Sequence, residues 1–371
     1  MSSSAEKPKS APSATNAAAQ LCRALEDAGV EVCWGYPGGA ILPFYDALYS
    51  SPIKHILTRH EQGAALAADG FARVSGKVGV CVATSGPGAT NLITGLANAF
   101  MDSVPVLAIT GQVGTDALGT DAFQEVDTLG LTMPVVKHSY LVRDPNEVYR
   151  TVREAICIAT SGRPGPVLID LPKDVLWAEA SPRPASAPEG LNPDPADDVA
   201  IARARKLLSE ASRPVIYAGG GVITGDASDE LRELVRKTGI PVTMTLMGLG
   251  AYPGDDPLSL DMLGMHGSVY ANYAVDEADL LIAIGVRFDD RVTGKVAEFA
   301  QHGFIVHIDI DPSELNKNKL VHVPIVADVE DALHQLNKIV EKPTASLQPW
   351  YDQINEWKKE DPFSFDESYP G

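Results

Sequence analysis

Four short runs in the first half of the chain, VEVCWGY, IKHILT, VGVCVAT and VPVLAIT, are strand-length, and the last two are apolar almost without a break. Stretches with helical spacing separate them. In AAAQLCRALEDAG, Leu21, Ala24, Leu25 and Ala28 fall on one face and Gly29 ends the helix. ILPFYDALY, EQGAALAADGFARVSG and ATNLITGLANAFM supply three more helices. A strand that is apolar on both sides has to be covered on both sides. Alternation with helices then implies an α/β unit with a parallel sheet between two helical layers.

That pattern covers residues 15–180. Residues 181–197, SPRPASAPEGLNPDPAD, hold five prolines and no periodicity, which reads as a linker. A second α/β unit follows over residues 198–342. It has helices at 199–210 and 226–238 and strands at PVIYAGGG, PVTMT, LLIAIGV and FIVHIDID. Residues 343–371 read as a connection towards a further domain. Within them Trp350, Ile354 and Trp357 form a stripe that wants a partner surface. The first 14 residues, rich in Ser, Ala, Pro and Lys, read as a disordered tail without a signal or transit peptide.

Charge excludes some functions. There are 49 acidic against 30 basic residues and no basic cluster, so a nucleic-acid partner is not expected. No apolar run approaches the roughly 18–20 residues that cross a bilayer, so no membrane partner is expected either. Cys22, Cys33, Cys81 and Cys157 form no CxxC pair, which fits a reducing compartment and argues against a zinc site or a catalytic thiol. Histidines lack metal-ligand spacing, and no metal site is expected.

Candidate chemistry collects at turns after strands. Glu61 opens the Ala- and Gly-rich helix EQGAALAADGF. It is either an acid favoured by the helix dipole or a carboxylate shielded from water and ready to share a proton. The turns YPGG (36–39) and SGPG (85–88) are either tight strand-to-helix connections or places where backbone approaches a ligand. In the second unit AGGGV, LGMHG, GVRFDDRVTG and DID stand at strand ends, where open α/β sheets bind ligands. There Asp309 or Asp311 could accept from ribose hydroxyls, and Arg287 could meet phosphates or a flavin edge.

Together these words resemble one family, the catalytic subunits of acetohydroxyacid (acetolactate) synthase, which use thiamine diphosphate. The resemblance runs over roughly residues 18–335 through GYPGGAILPFYDAL, RHEQGAALAADGFAR, ATSGPGATNLITGLANAFMDSVPVLAITGQV, GTDAFQEVDTLGLTMPVVKHSYLV, RPGPVLIDLPKDV, MLGMHGSVYANYAVDEADLLIAIGVRFDDRVTG and HIDIDPSELNKNK. The MHG…RFDDR stretch is the most specific. It implies two doubly wound parallel-sheet domains, a pyrimidine-binding domain and a central, Rossmann-like FAD-binding domain, belonging to a three-domain enzyme.

The resemblance also implies roles. Glu61 would hydrogen-bond N1′ of the aminopyrimidine ring and so promote loss of the thiazolium C2 proton. Pyruvate would then be decarboxylated and its two-carbon unit joined to a second 2-keto acid, the first common step towards valine, leucine and isoleucine. Tyr36, Gly38, Gly39, Ala40 and Pro87 would line the aminopyrimidine. Gln124 and Lys137 would act near the reacting carbon, Phe123 would line the substrate channel, and Arg291 would hold the second acid's carboxylate. Gly219, Gly220, Gly221, Thr245, Leu246, Met247, Gly264, His266, Gly285, Arg287, Asp309 and Asp311 would cradle a structural FAD.

The family further implies a homodimer or tetramer, a small regulatory subunit, and a place in a bacterial cytoplasm rather than a plastid. Gly114 departs from the Pro or Ala usual in relatives. The GDG…Asn motif that holds Mg²⁺ and the diphosphate is not found, since Gly225-Asp226 is followed by Ala227. The expectation is a chain without the third domain and inactive alone. Two other readings stand beside it. One is a related thiamine-diphosphate enzyme such as pyruvate oxidase; Glu61 argues against glyoxylate carboligase, which lacks that glutamate. The other is a non-catalytic flavin-binding fragment.

Overall fold

A computed structural model of the protein describes residues 15–181 and 193–362, which fall into two compact units, one on each side of residue 191. The first unit contains six parallel strands: β1 Val32–Gly35, β2 Lys54–Leu57, β3 Gly79–Ala83, β4 Val106–Gln112, β5 His138–Leu141 and β6 Val167–Pro172. They lie in the order β2-β1-β3-β4-β6-β5. Its helices of seven or more residues are α1 Ala17–Asp27, α2 Leu42–Leu48, α3 Glu61–Ser75, α4 Ile93–Met101 and α5 Val148–Thr160.

Alternation along the strands divides the core in two. Val80 and Val82 of β3 pack with α1, α2 and α5, while Cys81 and Ala83 pack with α3 and α4. The second face is built from small residues, Ala64, Ala65, Ala68 and Ala72, so α3 lies very close to the sheet. A Cβ on Gly79 would collide with the Ala68 carbonyl. The segment ATNLITGLANAFM is not one helix. It breaks into a turn at Pro87–Thr90 and α4, because Pro87 and Gly88 first direct the chain across the strand ends.

The second unit repeats the plan with β7 Pro214–Ala218, β8 Val242–Met244, β9 Ser259–Met262, β10 Leu280–Ile284, β11 Phe304–Asp309 and β12 Val323–Val326. All pairs are parallel, in the order β9-β8-β7-β10-β11-β12. Its longer helices are α6 Asp198–Glu210, α7 Ser228–Thr238, α8 Val269–Glu277, α9 Val329–Ile339 and α10 Gln348–Glu360. One face packs α6, α7 and α9 against Ile216, Ile282 and Ile308. The other packs α8 and α10 against Val215, Tyr217, Leu281 and Ile305.

Helix α10 corrects an expectation. Residues 348–360 are not a connection, and the stripe Trp350, Ile354 and Trp357 finds its surface inside its own unit. Trp350 is 3% exposed, stacks edge-on with Trp357 and donates its indole N–H to Pro214 O at 3.2 Å. Tyr351 Oη reaches Gly239 O at 2.6 Å and Lys358 Nζ reaches Ser259 O at 2.8 Å. The helix thus fastens along the N-terminal ends of β7, β8 and β9. The tail residues 1–14, most of the 181–197 linker and residues 363–371 lie outside the described residues. No helix among the described residues is long and apolar enough to cross a membrane.

Candidate functional site

In the first sheet the chain steps from β1 outward to β2, then returns to β3 on the other side of β1 and continues away. Ligands of open α/β sheets bind in the crevice beyond the strand ends at the point where direction reverses. Tyr36, Gly38, Gly39 and Ala40 follow β1, and Thr84 to Gly88, including Pro87, follow β3. The two loops are interlocked. Ala40 N donates to Thr84 Oγ1 at 3.3 Å, and a Cβ on Gly38 would stand 2.5 Å from Thr84. Tyr36 is half-exposed beside them.

Glu61 joins this edge from the end of β2, as the first residue of α3. His60 is the cap, its ring nitrogen accepting from Gln62 N at 3.1 Å. The Glu61 side chain is buried at 9% exposure, and Oε2 accepts from Asn91 Nδ2 at 2.9 Å. Oε1 accepts no hydrogen bond from the described residues and faces Gly88, where a Cβ would stand 3.4 Å away. A carboxylate oxygen beside a glycine, with no donor among the described residues, suits the flat edge of a heterocycle.

The long loop after β4 reaches the same edge. Gly86, at φ +58°, lies so close to Gln124 that a Cβ would be 2.6 Å from its carbonyl, and Gln124 itself sits at φ +60°. The Glu125 carboxylate closes the turn by accepting from the backbone N–H groups of Gly119, Thr120 and Ala122. These bonds hold its proton affinity below the usual carboxylate range. Phe123 projects outward, 88% exposed.

The loop's two ends are anchored from beneath. Gln112 Nε2 donates to Val126 O and to Asp170 Oδ2, both at 3.0 Å, and Thr110 Oγ1 donates to Asp170 Oδ1 at 2.6 Å. Burial raises the Asp170 carboxyl to about 6, against the opposing effect of these donors. Thr115 binds Asp174 through N at 3.0 Å and Oγ1 at 2.5 Å.

Lys137 is not brought to this edge, which corrects its placement near the reacting carbon. It precedes β5, its N–H bonded to Pro166 O at 2.8 Å, and so lies at the N-terminal end of the sheet. There its ammonium binds the carbonyls of Ile158 and Ser161, the latter at 2.7 Å, at the end of α5, where orphan carbonyls favour a cation. The lysine at the ligand edge is Lys173, directly after β6 and exposed. The rule that sites lie at carboxyl ends of strands would have found it. Burial pushes the Cys22, Cys33 and Cys81 thiols up to about 12, so they are poor nucleophiles.

In the second sheet the reversal lies between β7 and β10. Gly219, Gly220 and Gly221 follow β7, and Gly285 and Arg287 follow β10. A Cβ on Gly219 would collide with the Gly285 carbonyl, and Gly285 is at φ +58°. Thr245, Leu246 and Met247 follow β8, with Thr245 Oγ1 accepting from Gly248 N at 2.9 Å. Leu246 and Met247 are exposed. Gly264 and exposed His266 follow β9, and Asp309 and Asp311 end β11. Asp309 is buried and accepts from Asp311 N at 2.9 Å. All twelve positions therefore meet at one edge, which joins glycine, exposed aliphatic side chains and carboxylates. That set fits a dinucleotide.

The RFDDR turn is held from both sides. Asn318 Nδ2 donates to the Arg287 and Phe288 carbonyls at 3.0 and 3.2 Å. Phe288, at φ +50°, packs edge-on against Tyr217, Phe299 and His307. Met265 N binds Arg291 O at 2.9 Å, leaving the Arg291 side chain exposed. No group of three or more His, Cys, Asp or Glu among the described residues is placed to hold a metal ion.

Residues 15–131 match the family model described as the N-terminal TPP binding domain of thiamine pyrophosphate enzymes, and residues 201–336 match the central domain of the same enzymes. The protein is thus of the thiamine-pyrophosphate enzyme class. Within that class the chain belongs to the acetolactate synthase large subunits. It is 54% identical over 346 residues to a probable acetolactate synthase large subunit of Methanocaldococcus jannaschii, covering 91% of this chain and 58% of that protein. Identity is 51% over 365 residues to the large subunit of Parasynechococcus marenigrum (95% of this chain, 59% of that one). It is also 51% over 357 residues to the chloroplastic acetolactate synthase of Arabidopsis thaliana (93% and 53%). The chain therefore spans between half and three-fifths of these relatives' length.

Proposed function

We propose that this chain supplies the pyrimidine-binding and flavin-binding parts of an acetolactate synthase, which decarboxylates pyruvate and joins the two-carbon unit to a second 2-keto acid in branched-chain amino-acid synthesis. The observation that carries the reading is Glu61. It is buried at the switch point, with one oxygen bound to Asn91 and the other turned towards glycine. Thiamine diphosphate supplies the carbanion chemistry when bound. Glu61 holds or takes a proton at the pyrimidine ring nitrogen, Gly88 leaves Glu61 Oε1 uncovered towards the ring, and the Phe123–Gln124 turn stands over the same crevice. Arg291 is suited to a carboxylate through its planar fork. FAD would lie across Gly219–Gly221 and Gly285, with Asp309 or Asp311 towards ribose.

Magnesium and the diphosphate need ligands beyond these residues, and the part of the relatives that this chain does not cover is the natural source. A second copy also fits the reading. Leu66 of α3, Phe100 and Met101 of α4, and nearby Met133 are exposed on one helical layer of the first unit. A related oxidase would use the flavin for electron transfer, so bleaching of bound flavin by pyruvate would favour that reading. The main test completes the chain with the uncovered region, adds cofactors and assays acetolactate. Glu61→Gln should lower turnover by about 10²–10⁴-fold, the range for a poised acid–base group, with flavin binding unchanged. Near-normal turnover would reject the assignment.

A further inference from the structure

Glu61 is the first member of a stripe on α3. Glu61, Ala65 and Asp69 are spaced four apart and therefore share a face. The chain opposite offers Asn91, Gly95 and Asn98. At one end Asn91 Nδ2 donates to Glu61 Oε2 at 2.9 Å. In the middle a Cβ on Gly95 would collide with Ala65, so the glycine sets how near the two segments come. At the far end Asn98 Nδ2 donates to Asp69 Oδ2, and Arg73 Nε to Asp69 Oδ1 at 2.8 Å. Arg73 also reaches Asp102 at 2.9 Å.

The two ends are matched in geometry and differ in chemistry. Asp69, 3% exposed, has the Arg73 guanidinium beside it, a cationic partner. Glu61 has only a neutral amide. A primary amide can donate its N–H to a carboxylate and, turned over, present its carbonyl to a carboxylic acid. It can thus keep a carboxyl group in place in both protonation states. The terminal torsion of a glutamate is otherwise broad, and a group left to rotate seldom faces its reaction partner.

We infer that Asn91 is the positioning residue of Glu61, fixing Oε2 so that Oε1 faces the crevice whichever oxygen carries the proton. This rests on the reading of Glu61 as the pyrimidine partner. Gly95 serves it by bringing the amide within reach, and the Asp69–Arg73–Asn98 cluster anchors the other end of the seam.

Two measurements test it. In the full chain labelled with ¹⁵N-asparagine, one side-chain amide pair should vanish in Asn91→Leu, a variant of similar volume without donor or acceptor. That pair should shift in Glu61→Gln. A pair unmoved by Glu61→Gln overturns the inference. In the completed enzyme, exchange of the cofactor's C2 proton for deuterium should slow by about tenfold or more in Asn91→Leu, with cofactor affinity changed by no more than about threefold. Asn91→Ser, which keeps a hydroxyl able to donate and accept, should recover part of the rate and serves if the leucine variant does not fold. Exchange in both variants within about twofold of the parent also overturns it. If Glu61→Gln itself exchanges normally, the underlying reading fails. If Glu61→Gln is slow and both Asn91 variants are normal, only the role of Asn91 fails.

Discussion

The two units share a six-stranded parallel sheet, two helical layers and a crevice at the point of reversal, yet they fill that plan with opposite materials. The first lines its second face with alanine, which draws α3 and α4 close to the sheet and seats a carboxylate at the strand ends. The second lines one face with Tyr217, Tyr270, Phe288 and Trp350, and its strand ends carry glycine, exposed aliphatics and aspartates. Small residues permit close, rigid placement of one reactive group. Bulky ones build a stable platform that presents a broad edge. One fold can thus present two different kinds of edge, because the chemistry of each depends on local side chains and not on the fold itself.

If the aromatic platform belongs to the second unit alone, removing its central ring should loosen that unit and spare the first. Trp350→Ala takes away a buried indole and its bond to Pro214 O. Large aromatic truncations cost about 3–5 kcal/mol. Hydrogen exchange resolved along the chain should report that loss over residues 193–362 with protection over residues 15–181 unchanged. An equal loss in both would mean that the units unfold as one cooperative body, and the contrast drawn above would not extend to stability.

The reading of the fold from sequence succeeded at unbroken apolar runs and missed the central strand Val167–Pro172, where Asp170 interrupts the run. VGVCVAT and LLIAIGV are apolar on both faces because helices cover both, and that pattern needs no partner to be recognised. It failed at short strands. Ser259–Met262 is only four residues with an aspartate among them, and Val323–Val326 alternates buried and exposed around Pro324. Helix α10 was visible as an apolar stripe, but nothing in a stripe says where its surface lies. Lys137 was placed by resemblance and not by its position on a strand. A lysine beside a strand can belong to either end of the sheet, and only the strand's direction decides. Asn91 was hidden inside what reads as one continuous helix. The twelve flavin candidates came from the resemblance, and they lie at one edge because each stands at or just after the carboxyl end of a strand.

A second contrast concerns pH. Asp170 is buried beneath the loop that carries Phe123 and Gln124, and its carboxyl is raised from 3.8 to about 6. Its folded form therefore binds a proton more tightly than its unfolded form. The stability this contributes is complete below about pH 4 and lost as pH rises through about 6, in total about 3 kcal/mol. The denaturant midpoint of the first unit should fall across that window, and Asp170→Asn should flatten the slope. A slope that persists in the variant would assign the effect to another group.

The smallest effect separates charge from hydrogen bonding at the first helix of each unit. Asn16 caps α1 by accepting from Ala19 N at 2.9 Å, and Asp197 caps α6 by accepting from Ala200 N at 3.0 Å. Geometry is matched, so replacement by alanine should cost each helix about 1 kcal/mol. Only Asp197 also places a charge at the positive end of a helix dipole, worth about 0.3–1 kcal/mol and screened by salt. Urea midpoints at low and at molar salt should therefore show the Asp197→Ala loss shrinking by a few tenths of a kcal/mol while the Asn16→Ala loss stays constant. Equal salt response in both variants would mean that the Asp197 charge adds nothing beyond its hydrogen bond.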